Sequence, residues 1–190
     1  MRFVLASASP RRRQLLAQAG YVFDVMPADL DEDAFTADGA EALALLLATE
    51  KANAIAARVP DAVVLAADTT VAAADVTLLG KPADRADAAR ILAKLTGPPH
   101  LVCTGIAVAH GRQLEAEVDT ARVTMRPLSP NELETYLDGG KWEGKAGAYG
   151  IQNDDPFVTD LAGRRDTVTG LPMNIAGRLL ARFGVTPDGT

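Results

Sequence analysis

Residues 3–20, FVLASASPRRRQLLAQAG, decide the class of fold to expect. The first four of them are apolar, which predicts a short buried strand. The serines and Pro10 that follow are typical of the first turn of a helix, which we expect to run to about Ala19 and to stop at Gly20. A strand that leads through a tight turn into a helix indicates a soluble α/β protein.

The rest of the chain continues this alternation of strands and helices. Residues 62–67 form an unbroken apolar run, which predicts a buried central strand that delivers Asp68 at its carboxyl end. Further strands are predicted at 21–26, 101–109 and 113–125, and helices at 40–58, 85–95, 127–138 and 172–183. We expect a loop at 139–155, and a single α/β domain that spans residues 1–190.

Composition and charge narrow the possible partners. The 190 residues are 48% hydrophobic and carry a formal net charge of -6, which opposes binding to a nucleic acid polymer or to an anionic membrane. No apolar run is long enough to span a bilayer. The single Cys103 cannot form an internal disulfide, which favours a reducing compartment. We therefore expect a cytoplasmic protein, in which only a local basic cluster could hold an anionic ligand.

The turn after the first strand is the strongest candidate for such a cluster. Arg11, Arg12 and Arg13 lie in the first helical turn, where they face the positive end of the helix macrodipole. This arrangement costs roughly a few tenths of a kcal/mol per charge unless an anion sits there. Together with backbone N–H groups and the hydroxyls of Ser7 and Ser9, the guanidinium groups would form a phosphate site. The alternative is an ordinary helix start with serine caps and solvated arginines. Spacing alone does not favour either interpretation.

Two further charged residues follow apolar or rigid segments. Asp68 could bind a divalent metal or take a proton from water, although an aspartate at a strand end often only caps the following turn. Lys81 lies between Gly80 and Pro82 in a rigid turn, which favours a positioned phosphate ligand over a solvated lysine. Asp68 and Lys81 are therefore candidates for the chemistry and for phosphate binding, respectively.

Three other features remain open to two interpretations. Lys51 follows Glu50 on a predicted helix, where spacing alone favours a solvated lysine. The acidic loop that contains Glu32 is either solvated or one side of a magnesium site, since Mg²⁺ takes one or two carboxylates with waters and substrate phosphates. The segment KAGAYGIQ at 145–152 is a surface loop or a ligand loop, in which Gln152 offers the donor and acceptor that a base edge requires. No Walker phosphate loop, dinucleotide fingerprint or serine nucleophile elbow occurs.

Ordered blocks of the sequence resemble the Maf family of nucleoside triphosphate pyrophosphatases along nearly the whole chain. The matching blocks are LASASPRRR at 5–13, EKA at 50–52, ADTTV at 67–71, LGKP at 79–82, TG at 104–105, KAGAYGIQ at 145–152 and GLP at 170–172. The resemblance implies a mixed central sheet flanked by helices, in the elongated, two-lobed fold with a central cleft that Maf and ITPase proteins share. It also implies a nucleoside triphosphate substrate, a Mg²⁺ or Mn²⁺ cofactor and a homodimer.

The resemblance implies roles for individual residues as well. Asp68 would be the catalytic base, and Glu32 would join it beside the metal. Arg11, Thr69 and Gln152 would lie at positions that govern substrate choice. The other residues of the implied substrate-binding set are Ser7, Ser9, Arg12, Lys51, Lys81 and Lys145.

The KAGAYGIQ block resembles the subgroup that acts on dTTP and UTP, so hydrolysis of these nucleotides to monophosphate and pyrophosphate is the expected reaction. Two alternatives stay open, a broad house-cleaning pyrophosphatase for modified nucleotides and a nucleotide-binding regulator of cell division and septum formation. Two departures from the family pattern bear on substrate range and metal binding. Lys141 occupies the place of a family glutamate, with Glu143 displaced by two residues, and residues 162–166 replace a Gly-Ser-Tyr-like stretch.

Overall fold

The computed structural model describes residues 1–153 and 155–188, so residues 154, 189 and 190 of the predicted domain lie outside the described part. The strands are β1 Arg2–Leu5, β2 Asp24–Val25, β3 Ala62–Ala72, β4 Leu78–Leu79, β5 His100–His110, β6 Gln113–Met125 and β7 Val158–Ala162. The helices are α1 Pro10–Gln18, α2 Ala40–Ala56, α3 Arg85–Leu95, α4 Pro130–Asp138, α5 Arg165–Thr169 and α6 Met173–Arg182. One mixed sheet has the order β2-β1-β3-β5-β6-β7, with β4 paired to β3. The predicted central sheet flanked by helices is confirmed.

The two edges of β3 are covered unequally. Along one edge, β5 runs antiparallel to residues 64–72. Along the other edge, parallel β1 ends its pairing at Leu65 and antiparallel β4 begins at Val71. Within the described part of the chain, residues 66–70 therefore have no strand neighbour on this side. Because β1 leads directly into the turn before α1, this gap in the sheet edge lies close to the arginine-rich segment.

Helix α2 covers one face of the sheet at close range. Its small residues Ala44, Ala48 and Ala52 are fully buried. Gly105 of β5 lies beneath the helix, where an added Cβ atom would come within 2.2 Å of the Ala44 backbone oxygen. A glycine in the strand therefore allows the helix backbone to approach the sheet. This approach also brings Lys51, on the same helix, to the sheet surface.

The opposite face of the sheet carries two apolar clusters. One cluster contains Leu65 and is covered by α1 and α6, and the other contains Val71 and is covered by α3 and α4. Since strand side chains alternate between faces, Thr69 lies between these two clusters on the same face. Its Oγ1 atom lies 2.9 Å from Oγ1 of Thr104 on the neighbouring strand. A polar pair thus separates the two apolar clusters.

Two predicted strands differ from the observed ones. The strand predicted to end before Asp68 continues to Ala72, so the interpretation of Asp68 as a strand-end residue is wrong. Pairing with β5 carries the extended backbone through two threonines, which have high strand propensity. The strand predicted at 21–26 is only two residues long. It starts late because the Tyr21 N–H is tied to the end of α1, where it donates to the Leu16 carbonyl at 3.1 Å.

Candidate active site

A cleft of about 610 Å³ opens at the gap in the sheet edge. It is lined by the turn before α1, the acidic loop before α2, strands β3 and β4, and the loop at 144–152. Segments that are distant in the sequence therefore converge on one cavity. The structure brings together every predicted site residue at this cleft: Ser7, Ser9, Arg11, Arg12, Glu32, Lys51, Asp68, Thr69, Lys81, Lys145 and Gln152.

Glu32, Lys51 and Asp68 form a charged triad with the lysine at its centre. The Lys51 Nζ atom donates to Asp68 Oδ1 and to Glu32 Oε1, each at 2.6 Å. The side chains of Lys51 and Asp68 are only 9% and 10% exposed, whereas that of Glu32 is 38% exposed. Lys51 is therefore not the solvated helix lysine that spacing alone favours, because α2 packs this residue against the sheet.

Lys81 approaches the charged triad from the turn after β4. Its Nζ atom lies 3.6 Å from Glu32 Oε2, and its side chain remains 59% exposed. Burial raises the pKa of Glu32, but hydrogen bonding and charge from Lys51, with a contribution from Lys81, hold that pKa below its ordinary value. Glu32 is therefore a charged carboxylate that is held against two lysines at the cleft.

The two carboxylates fit a divalent metal that is shared with a phosphate ligand. No group of three or more His, Cys, Asp or Glu side chains that could hold a metal occurs among residues 1–153 and 155–188. Glu32 and Asp68 nevertheless each present one oxygen to a single cation, the ammonium group of Lys51. Mg²⁺ typically takes one or two carboxylates and completes its shell with water and substrate phosphates. The pair therefore suits a metal whose coordination shell is completed by a phosphate ligand.

Arg12 links the turn before α1 to the rest of the cleft. Its Nε atom donates to the Gly170 carbonyl at 2.8 Å, and its terminal nitrogens donate to Ser7 Oγ at 3.1 Å and to Thr69 Oγ1 at 3.2 Å. Burial lowers the pKa of Arg12, and the charge of Asp68 opposes this effect. These contacts use three of the five N–H donors of the guanidinium group, which leaves two for a phosphate ligand.

The first turn of α1 is suited to an anion. Ser9 occupies the N-cap position before Pro10, as predicted, but its side chain makes no capping hydrogen bond. The Ser9 N–H instead donates to Ser7 Oγ at 3.2 Å, and no acidic side chain lies in the first turn. Burial lowers the pKa of Arg11. The turn therefore concentrates N–H donors and guanidinium charge at the wall of the cleft.

Two supporting residues have no role in the sequence interpretation. Thr104 lies behind Thr69, and its hydroxyl donates to the Thr167 carbonyl at 2.8 Å. Gly170 has a φ of 109°, and a Cβ atom there would approach Thr69 Oγ1 to 3.1 Å. The TG and GLP blocks contain these two residues, but only the folded chain shows that Thr104 is hydrogen-bonded to Thr69 and that Gly170 leaves room for it.

Glycines position the loop that carries Gln152. Gly147 has a φ of 76°, and its N–H donates to the Gly80 carbonyl at 3.1 Å, which ties the loop to the turn that holds Lys81. A Cβ atom on Gly150 would lie 2.4 Å from Gln152 Nε2, so glycine leaves room for this amide. Gln152 Oε1 is buried and has no hydrogen-bond partner among the described residues. A buried acceptor beside a cleft is suited to a donor from a ligand.

The departures from the family pattern serve local structure. Lys141 Nζ lies 3.6 Å from Asp155 Oδ1, and Glu143 is exposed. Neither Lys141 nor Glu143 is among the described residues that line the cleft, so Glu143 does not join the charged triad. In the second departure, Arg164 makes two hydrogen bonds to Asp166, at 2.9 and 2.8 Å, at the start of α5.

His100 is buried beneath the loop at 144–152. Its burial leads us to expect that the free energy of unfolding decreases at acid pH. Its Nε2 atom is hydrogen-bonded to the Tyr149 hydroxyl at 2.9 Å, and burial lowers its pKa from 6.5 to about 4. The unfolded chain therefore binds the proton more readily than the folded chain. The contribution of neutral His100 to the free energy of unfolding is fully present above about pH 6.5 and is lost as the pH falls towards about 4. We expect a loss of roughly 3 kcal/mol across this window.

Urea denaturation across the same pH window measures this effect. His100→Gln should remove the corresponding part of the pH dependence of the unfolding free energy, because glutamine does not titrate. His110→Gln is the matched control, since it removes a histidine at the other end of β5 and should retain the part of the pH dependence that comes from His100. Identical profiles for wild type and His100→Gln would contradict the assignment.

Together, the fold and the site define a class of protein. A mixed α/β sheet holds one cleft, in which an arginine-lined helix start lies with two carboxylates and two lysines. This combination is typical of proteins that bind phosphorylated ligands together with a metal. The chain belongs to the family described as Maf-like protein, which matches residues 2–183. The family resemblance in the sequence is thereby confirmed.

Relatives of this chain carry a consistent name. A protein named dTTP/UTP pyrophosphatase from Myxococcus xanthus (strain DK1622) is 48% identical, over 96% of this chain and 92% of that protein. A protein of the same name from Cereibacter sphaeroides is 45% identical, over 97% of this chain and 96% of that protein. Among solved structures, a HAM1 protein from Coxiella burnetii aligns with a TM-score of 0.49 and 14% identity, over 96% of this chain and 99% of that chain.

Proposed function

We propose that this protein hydrolyses nucleoside triphosphates, with dTTP and UTP preferred, to the monophosphate and pyrophosphate. The observation that carries the proposal is the presence of the charged triad and the arginine-lined start of α1 in a single cleft. The first feature suits a metal and an attacking water, and the second suits phosphates. The names of the relatives at 48% and 45% identity support the choice of dTTP and UTP.

The residues divide the chemistry among them. Hydrolysis between the α and β phosphates requires water to attack phosphorus in line, while cations neutralise charge on the leaving pyrophosphate. Asp68 orients or deprotonates this water as the catalytic base, and Arg11 and Lys81 hold phosphate oxygens. A Mg²⁺ or Mn²⁺ ion held by Glu32 and Asp68 would supply electrostatic stabilisation of the phosphate charge. No covalent intermediate is needed.

Base preference is assigned to the loop that carries Gln152. The Gln152 amide has both donors and an acceptor, and its Oε1 atom is buried without a partner among the described residues. Uracil and thymine present an N–H donor flanked by carbonyl acceptors, which this amide complements. Thr69 and Arg11 line the cleft with it and complete the set of residues that we assign to substrate choice.

Pyrophosphate release across a panel of standard and modified nucleoside triphosphates, with Mg²⁺ or Mn²⁺, tests this function. We expect the highest kcat/KM on dTTP and UTP. A flat profile that includes modified bases would instead indicate the broad house-cleaning pyrophosphatase. No turnover on any triphosphate would contradict both enzyme functions and would favour a nucleotide-binding regulator of cell division.

Arg11→Ala should raise the KM for dTTP, because it removes charge-assisted contacts to phosphate. Such contacts contribute about 1.5–3 kcal/mol, which corresponds to a rise of roughly 10- to 150-fold. Arg13→Ala is the matched control, since Arg13 belongs to the same turn but is exposed and lies outside the cleft lining. Steady-state kinetics on the two variants make the comparison. An unchanged KM for Arg11→Ala would show that Arg11 is a solvated surface residue that does not bind phosphate.

We also propose a cytoplasmic homodimer that has neither a nucleic acid polymer nor a membrane as partner. In the described part of the chain, no helix combines the length and the apolar character needed to cross a membrane. The net charge of -6 opposes binding to polyanions, and Cys103 is buried as a free cysteine. The dimer follows from the family resemblance, and a solution mass of about twice 19.9 kDa is the expected result.

A further inference from the structure

The charged triad places a protein cation where a metal would bind. Glu32 and Asp68 each accept a hydrogen bond from the Lys51 ammonium at 2.6 Å. Mg²⁺ binds carboxylate oxygens at about 2.0–2.1 Å, so a metal on the same two oxygens would lie within about 5 Å of the ammonium nitrogen. Like charges at this separation repel strongly in a partly buried site. Lys51 and a divalent metal therefore compete for the two carboxylates.

Lys51 cannot leave this position without another anion. The hydrogen bonds described for its Nζ atom end on Asp68 and Glu32, and its side chain is only 9% exposed. Its helix is fixed against the sheet through the buried residues Ala48 and Ala52. An ammonium group moved from these carboxylates would lose both of its partners in a partly buried site, which is unfavourable.

A triphosphate would supply the anion that Lys51 needs. Lys51 lines the cleft together with the start of α1, so phosphate oxygens bound there would lie within reach of its flexible side chain. Lys81 is less constrained, because its side chain is 59% exposed and its Nζ atom lies 3.6 Å from Glu32. Both lysines could therefore turn from the carboxylates towards phosphate oxygens when the nucleotide binds.

We propose that Lys51 is an internal cation that excludes free divalent metal from Glu32 and Asp68, so that metal binds tightly only when a triphosphate draws the ammonium away. The inference rests on the proposed function, because it takes a nucleoside triphosphate as the ligand. By linkage, nucleotide raises the affinity for metal, and metal raises the affinity for nucleotide by the same factor. The enzyme would thus bind the metal–nucleotide complex in preference to free metal.

Titration with Mn²⁺ tests this inference without turnover. Binding is monitored through the loss of the electron paramagnetic resonance signal of free Mn²⁺. In the absence of nucleotide, Lys51→Met should bind Mn²⁺ at least about tenfold more tightly than wild type. Lys145→Met is the matched control, because it removes the same charge from a lysine that lines the same cleft but makes no described contact with the triad. That control should stay within about twofold of wild type. Equal Mn²⁺ affinities for Lys51→Met and Lys145→Met would overturn the inference.

A second measurement uses the wild-type protein alone, so it does not depend on the folding of a variant. With α,β-methylene-dTTP bound, wild-type protein should gain at least about tenfold in Mn²⁺ affinity, after correction for Mn²⁺ held by the nucleotide in solution. Equal affinity with and without the analogue would overturn the inference. Absence of hydrolysis in the substrate panel would count against the proposed function only, because neither binding measurement requires catalysis.

Discussion

Asp68→Asn should reduce kcat on dTTP by roughly 100- to 10,000-fold while leaving folding and, in the absence of metal, nucleotide binding largely intact. The substitution removes the charge that we propose orients or deprotonates water and helps to hold the metal. Asparagine has nearly the same shape as aspartate. Its amide oxygen can take the position of Asp68 Oδ1, which accepts a hydrogen bond from the Lys51 ammonium at 2.6 Å in the wild-type protein. The surrounding contacts should therefore persist.

Steady-state kinetics, calorimetric titration with α,β-methylene-dTTP and thermal denaturation separate these effects. Asp61→Asn is the matched control, because Asp61 immediately precedes β3 but is exposed and lies outside the cleft lining. It should keep the wild-type kcat within about twofold. Simultaneous loss of nucleotide binding and folding in Asp68→Asn would show that Asp68 is structural.

Gly105→Ala should destabilise the protein by about 3 kcal/mol or more, which corresponds to a fall of about 6–12 °C in Tm. The new Cβ atom would lie 2.2 Å from the Ala44 oxygen and 2.5 Å from its carbonyl carbon. These are backbone atoms, so no side-chain rotation relieves the overlap. Helix α2 would have to move away from the sheet, and Lys51 would move with it.

Gly139→Ala provides the control for this substitution. Gly139 has a φ of -71°, and an added Cβ atom would make ordinary contacts at 3.4 and 3.5 Å. Its stability should therefore change by less than about 1 kcal/mol. Thermal and urea denaturation of both variants give the comparison, and a wild-type Tm for Gly105→Ala would contradict the close approach of α2.

Regular elements with a clear internal pattern could be predicted from the sequence. The helix predicted at 85–95 is confirmed with the same bounds, because a capping aspartate and apolar residues at helical spacing define it locally. Strand β3 extends past its apolar run, since pairing with β5 maintains the strand through polar residues that face the cleft. Strand β7 is an edge strand of five residues that owes its existence to β6, so no local pattern predicts it.

The candidate site was accessible to sequence reasoning only in part. The turn before α1 and Lys81 have local signals, namely charge against the helix dipole and a rigid turn. Lys51 has none, because its partners Asp68 and Glu32 lie 17 and 19 residues away along the chain. Thr104 likewise acquires its role from contacts across the sheet and with α5. Family blocks indicated most of these positions, but their spatial arrangement comes from tertiary packing.

The proposed reaction is tested most directly by the products that wild-type protein forms from dTTP and Mg²⁺. Phosphorus NMR should show dTMP and pyrophosphate accumulating in equal amounts from the first time point, because hydrolysis breaks the anhydride bond between the α and β phosphates. Accumulation of dTDP and inorganic phosphate would place the attack at the terminal phosphorus and would contradict the proposed function.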